Sequence, residues 1–145
     1  MRKITILFAT VGAMLLLVSG IALAATINGT SGNDTLRGTK SADVMRGRAG
    51  ADTLYGGYGK DRMYGDSGND RLFGDSLADR IFGGPGRDTV DADQGNDYIN
   101  VADGALDSVS CGVGTDTAVV DNADLRSSSF EDFVRLSSCE NTLVR

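Results

Sequence analysis

Aspartate recurs at positions 34, 43, 52, 61, 70, 79, 88 and 97, every interval nine residues, and resumes after a one-residue insertion at 107 and 116. Two residues after each stands an apolar side chain: Leu36, Met45, Leu54, Met63, Leu72, Ile81, Val90, Ile99, Val109 and Ala118. Glycine precedes the aspartate by five residues at 29, 38, 47, 56, 65, 74 and 83, until Ala92 breaks the column. It also precedes it by two at 32, 50, 59, 68, 86, 95 and 114, so that 18 of the 20 glycines lie between residues 29 and 114. Self-similarity at a fixed period decides the architecture before any local propensity does.

Nine residues are two and a half turns of α-helix, which would send successive aspartates to opposite sides. Glycine inside a helix also costs about 1 kcal/mol relative to alanine. The pattern instead predicts a six-residue glycine turn followed by a three-residue strand whose middle side chain points inward. Two such units make one 18-residue coil, and coils stack at the strand spacing of about 4.8 Å. The expected fold is all-β: a parallel β-roll, or β-solenoid, with a narrow core of stacked Leu, Met, Ile and Val. That geometry suits a chain with only 6% aromatic residues. On the outside, Tyr55 should stack on Phe73 and Tyr64 on Phe82, same-face pairs of the kind that contribute about 0.2–1 kcal/mol each.

Residues 18 apart stand one above another. Asp34, Asp52, Asp70, Asp88 and Asp107 form one column, and Asp43, Asp61, Asp79, Asp97 and Asp116 the opposite one. Carboxylates about 5 Å apart repel by about 3 kcal/mol at an effective dielectric of 20. Bare columns would therefore offset most of the stability of an ordinary domain. A dication between neighbouring coils converts each repulsion into shared ligation. With no His in the chain and no paired Cys within the repeats, the donors are all oxygen, which suits Ca²⁺ better than Zn²⁺ or the strictly octahedral Mg²⁺. The competing reading of the aspartates is that they only close Asx-turns in their own loops.

The stretch Gly56-Gly57-Tyr58-Gly59-Lys60-Asp61-Arg62-Met63-Tyr64 fits GGxGxDxUx at every fixed position. Over about residues 28–119 the chain resembles the hemolysin-type (RTX-like) calcium-binding repeat family. The resemblance implies that turn carbonyls and the ten aspartates above ligate several Ca²⁺ ions between successive coils. The chain departs from the pattern at Ser41 and Leu77, where the glycine two residues before aspartate is missing, and again around Ala92 and Asp107. Non-glycine residues at such turns are strained, which predicts better-formed sites along the Asp34 edge than along the Asp43 edge.

The ends read differently. Arg2 and Lys3, an apolar run over residues 4–18 and Ala22-Leu23-Ala24 have the order of a cleavable export signal, expected to end at residue 24. The competing reading is a membrane anchor, since residues 4–25 are just long enough to span. Losing residues 1–24 removes two positive charges and takes the net charge from −6 to −8. So acidic a chain is a poor nucleic-acid binder. The roll is expected over residues 25–120 and a small C-terminal cap over 121–145, since an open solenoid end needs covering. Within the cap, Phe130, Phe133 and Val134 after three serines suggest a short helical turn. In an exported chain, Cys111 and Cys139 are expected to form a disulfide that fastens cap to roll.

These features point to a secreted, extracellular calcium-binding repeat protein that folds on taking up its ions and has no stable membrane insertion. The alternative is a calcium-stiffened adhesin or surface-recognition module binding a glycan or the cell envelope. Without His there is no His-based catalytic triad, and the carboxylates are accounted for by the repeat, so no enzyme is expected.

Overall fold

The computed structural model describes residues 5–6, 23–125 and 136–145. The predicted export segment, apart from Thr5–Ile6 and residues 23–24, and the helical turn expected around Phe130 lie outside the described residues. All regular structure among the described residues is strand: β1 (Thr5–Ile6), β2 (Thr26–Asn28), β3 (Thr35–Arg37), β4 (Val44–Ala49), β5 (Thr53–Tyr58), β6 (Arg62–Ser67), β7 (Arg71–Ser76), β8 (Arg80–Phe82), β9 (Thr89–Asp91), β10 (Tyr98–Asn100), β11 (Ser108–Ser110), β12 (Thr117–Val120), β13 (Leu136–Ser137) and β14 (Asn141–Val144).

The chain winds between two parallel sheets, one ordered β1-β2-β4-β6-β8-β10-β12-β14 and the other β13-β11-β9-β7-β5-β3. This is the expected β-solenoid, of about five coils. Register follows the repeat: Met45 pairs with Met63, Met63 with Ile81 and Ile81 with Ile99 in one sheet. In the other, Leu36 pairs with Leu54, Leu54 with Leu72 and Leu72 with Val90. The extra residue is absorbed in the turn between β10 and β11, so Val90 still meets Val109 and Ile99 meets Ala118.

Strands β4 to β7 run six residues rather than the expected three. Turn residues pair as well, Arg48 with Asp66 and Gly57 with Asp75, so the parallel ladder continues around the bend. Close backbone approach makes this possible. A Cβ on Gly68, whose φ is +140°, would collide with the carbonyl of Gly50 in the coil before. Leu77 occupies the same repeat position, is 54% exposed and is held at φ 74°. Of the two departures expected to be strained, only Leu77 is: Ser41 is not among the residues with positive φ.

The core is the inward column Met45, Leu54, Met63, Leu72, Ile81, Val90, Ile99, Val109 and Ala118, with Ile27 and Leu36 packed against its N-terminal end. Towards the C-terminus it thickens. Where earlier repeats begin with glycine, Ala92, Val101, Cys111 and Val120 turn inward and are fully buried. Outside, Tyr55 stacks on Phe73 at 4.9 Å and Tyr64 on Phe82 at 5.0 Å, as the spacing predicts.

The nine-residue period stops at Val120, yet both sheets continue. β13 pairs with β11, and β14 pairs with β12 over four residues. The Cys111–Cys139 disulfide is formed, with Cα atoms 5.2 Å apart across 28 residues of sequence. It ties the last repeat to this C-terminal addition, and closing a loop of that length contributes about 3–4 kcal/mol.

Two substitutions separate core from turn. Leu72→Ala is expected to lower stability by about 2–5 kcal/mol, because the column cannot collapse around the lost volume. Leu77→Gly is expected to raise it by about 0.5–1 kcal/mol by releasing left-handed strain at little cost in burial. Denaturant unfolding in saturating calcium measures both.

Candidate metal centre

Each repeat aspartate ends a turn and begins a strand, so its side chain is carried into the seam between sheet and bend. All ten sequence-predicted site residues fall on the two seams, Asp34, Asp52, Asp70, Asp88 and Asp107 along one and Asp43, Asp61, Asp79, Asp97 and Asp116 along the other. Nine of them are buried, with at most 5% exposure at Asp107; Asp34, at the N-terminal end, is half-buried.

Beyond Asp34, one carboxylate oxygen of each aspartate is committed to the coil before it. The Asp34 amide donates to Asp52 Oδ1 at 2.7 Å, Asp52 to Asp70 at 2.8 Å, Asp70 to Asp88 at 2.8 Å and Asp88 to Asp107 at 2.7 Å. Opposite, the Ala25 amide donates to Asp43 Oδ1 at 2.6 Å, Asp43 to Asp61 at 2.7 Å, Asp61 to Asp79 at 2.8 Å, Asp79 to Asp97 at 2.7 Å and Asp97 to Asp116 at 2.8 Å. These bonds run between coils, not within a loop, and therefore differ from the Asx-turn alternative.

The second oxygen is different. Oδ2 of Asp52, Asp61, Asp70, Asp79, Asp88, Asp97, Asp107 and Asp116 is buried and has no hydrogen-bond partner. A buried polar atom left unmatched costs about 1–3 kcal/mol, and more if it is charged. Beside it lies a space that only glycine leaves open. A Cβ on Gly56 would sit 2.8 Å from Asp61 Oδ2 and 2.7 Å from the Gly74 carbonyl oxygen; one on Gly74 would sit 2.8 Å from Asp79 Oδ2 and 2.7 Å from the Ala92 carbonyl oxygen. The donors are thus anionic and carbonyl oxygens, the set a hard, flexible cation such as Ca²⁺ prefers. Among the described residues no group of three or more His, Cys, Asp or Glu side chains could hold a metal ion by itself. An ion here would complete its shell with backbone carbonyls and water.

Asp34 and Asp43 stand apart. Asp34 Oδ2 accepts from the Thr30 amide at 2.5 Å and from the Thr30 hydroxyl at 2.9 Å. Asp43 Oδ2 accepts from the Thr39 amide at 2.6 Å, and its Oδ1 from the Thr39 hydroxyl at 3.2 Å. Only this pair fits the own-loop reading. Each edge has one aspartate whose Oδ2 is matched within its own loop and four whose Oδ2 has no partner.

Two ladder members fall outside the period. The Asp107 amide donates to Asp124 Oδ1 at 2.8 Å and the Asp116 amide to Glu140 Oε2 at 2.7 Å, so both seams end on an acid of the C-terminal segment. A second ladder lies just outside the first. Asn33, Asn69 and Asn96 accept from the amides of Ala51, Arg87 and Thr115 in the following coil. The recurring Asn-Asp dipeptide signals it in the sequence; nothing comparable signals Asp124 or Glu140.

Burial is the main reason the carboxyls titrate high, opposed by the amide bonds and reinforced by neighbouring carboxylates. Asp79 and Asp107 are pushed up to about 8, Asp88 to about 7, and Asp61 and Asp97 to about 6. Asp52, Asp70 and Asp116 are raised for the same reason.

A family model for the RTX calcium-binding nonapeptide repeat matches residues 20–54, 38–72 and 73–105. No curated protein and no solved structure matches the chain.

The raised values fix the sign of the pH response. The folded roll holds protons more tightly than the unfolded chain, whose aspartates titrate near 3.8. Metal-free, it therefore keeps this contribution in full below about pH 4 and loses it as pH rises through about 6 to 8. Circular dichroism after metal removal should show the β-signal strengthening from about pH 8.5 to about pH 5. Calcium uptake should tighten with rising pH over the same window and release protons.

Proposed function

The chain belongs to the RTX calcium-binding nonapeptide-repeat family, and from that premise we propose that it is a secreted structural protein whose roll closes when calcium enters its turns. The observation that carries this reading is the set of eight buried carboxylate oxygens without partners. Asp52, Asp70, Asp88 and Asp107 on one seam, and Asp61, Asp79, Asp97 and Asp116 on the other, would hold the ions together with turn carbonyls. Calcium supplies two positive charges and tolerant oxygen coordination. The chain's own part is to present each carboxylate with one oxygen tied to a neighbouring coil and the other free.

Folding and loading are one process in this reading, since the seams assemble only when coils stack. Extracellular modules bind calcium at about 10⁻⁴ to 10⁻³ M, so export itself would trigger closure. Residues 1–24 as an export signal, residues 25–120 as the roll and residues 121–145 as its fastened end complete the proposal. The Cys111–Cys139 bridge supports an oxidising compartment. In calcium-free buffer at about pH 7.5 the protein is expected to lack β-type circular dichroism, to gain it with CaCl₂ and to lose it again with EGTA. An unchanged signal in EGTA would overturn the proposal.

A second reading, a calcium-stiffened surface-recognition module for an acidic glycan, is favoured by the face of the larger sheet. Arg46, Arg62 and Arg80 stand exposed there around Tyr64, Phe82 and Tyr98, with Arg62 and Arg80 in register on adjacent strands. Like charges so placed destabilise each other, and an anionic chain laid across them removes that cost. Retention on an immobilised acidic polysaccharide in calcium should be lost in an Arg62→Ser/Arg80→Ser protein and kept by Arg71→Ser on the opposite face. Equal retention of both variants and the parent would remove this reading.

A further inference from the structure

We propose that Asp34 and Asp43 bind no calcium, and that Thr30 and Thr39 occupy the place the cation takes in every later turn. The inference rests on the calcium reading above and narrows it from ten aspartates to eight.

The two threonines occupy the second position of their repeats. In the following six repeats that position is Arg48, Gly57, Asp66, Asp75, Gly84 and Asp93, with φ of 84°, 92°, 67°, 71°, 101° and 66°. Thr30 and Thr39 are not among the residues with positive φ, and no described residue before Arg48 is. A β-branched side chain resists the left-handed region strongly, so threonine at this position winds the turn another way. The consequence falls on the amide of that residue. In the first two turns it points at the aspartate of its own loop, at 2.5 Å for Thr30 and 2.6 Å for Thr39. In the Gly57 turn it points instead to Asp75 of the next coil, at 3.2 Å, and leaves Asp61 Oδ2 unmatched.

The hydroxyl completes the substitution. It has one hydrogen and two lone pairs. In each turn it gives the hydrogen to the carboxylate and accepts a backbone amide two residues on, Gly32 at 3.2 Å and Ser41 at 3.1 Å. An amide and a hydroxyl on one carboxylate are charge-assisted bonds. They satisfy the oxygen that stays free in the other eight aspartates.

Counting bound ions tests this, by native mass spectrometry and calorimetry of the whole protein in calcium. Asp34→Asn/Asp43→Asn is expected to keep the parental ion count, whereas Asp61→Asn/Asp70→Asn lowers it. Thr30→Gly/Thr39→Gly, which frees both carboxylates and permits the left-handed turn, is expected to raise the count. A lower count in Asp34→Asn/Asp43→Asn overturns the inference while leaving the calcium reading intact. An unchanged count in Thr30→Gly/Thr39→Gly overturns the role given to the threonines. A parent protein that takes up no calcium overturns the calcium reading and this inference with it.

Discussion

The structure depends on how a buried carboxylate can be kept among others of its kind. Each repeat aspartate is drawn into the seam because the strand it starts must place its next-but-one side chain in the core. Once there, one oxygen is held by an amide of the preceding coil and the other faces the backbone of its own repeat. The amide bonds mean that the stacked acids do more than repel: each is a rung joining two coils. What the amides do not supply is a partner for the second oxygen, and that deficit recurs eight times. A proton or a cation must meet it. Burial biases the carboxyls towards holding a proton, furthest at Asp79 and Asp107, which are pushed up to about 8.

The apolar column is the other half of the same design. One inward side chain per nine residues is a thin core, and through most of the roll glycine at the first repeat position keeps it thin by letting coils and carboxylates approach. Past Gly83 the constraint relaxes, and Ala92, Val101, Cys111 and Val120 fill the space. This end of the roll is therefore the more conventionally packed. It also carries the disulfide and the strands that extend both sheets. The roll accordingly changes character along its length, from threonine-closed turns through glycine-lined turns to a partly apolar, covalently fastened end.

Much of this was legible in the sequence because the period acts on every level at once. A nine-residue interval decides which residues share a column, and from that the parallel register, the inward set and the Tyr55–Phe73 and Tyr64–Phe82 stacks follow. The cysteine pair was legible because two thiols in an otherwise cysteine-free chain have few alternatives. What escaped was whatever breaks the period or depends on backbone angles. Asp124 and Glu140 sit 17 and 24 residues from the aspartates whose amides they receive, so no column points to them. The six-residue length of β4 to β7 comes from turns stacking on turns, which a pattern of side chains does not encode. The missing glycine at Ser41 predicts a strained turn, yet its backbone is not in the left-handed region. The sign of φ instead separates two kinds of turn, and the residues that choose between them, Thr30 and Thr39, stand four before Asp34 and Asp43, at a position the aspartate and apolar columns do not register.

That last distinction bears on how a repeat protein ends. An interior carboxylate faces coils above and below, and its second oxygen has a hydrogen-bond partner in neither. At the N-terminal end of this roll the chain supplies internal donors instead, an amide and a hydroxyl from the same threonine. At the other end it supplies acids from outside the repeat to receive the last two amides of the ladders. The two ends are therefore finished differently: at the first a threonine matches the second carboxylate oxygen, whereas at the last outside acids receive the amides while Asp107 Oδ2 and Asp116 Oδ2 stay without a partner.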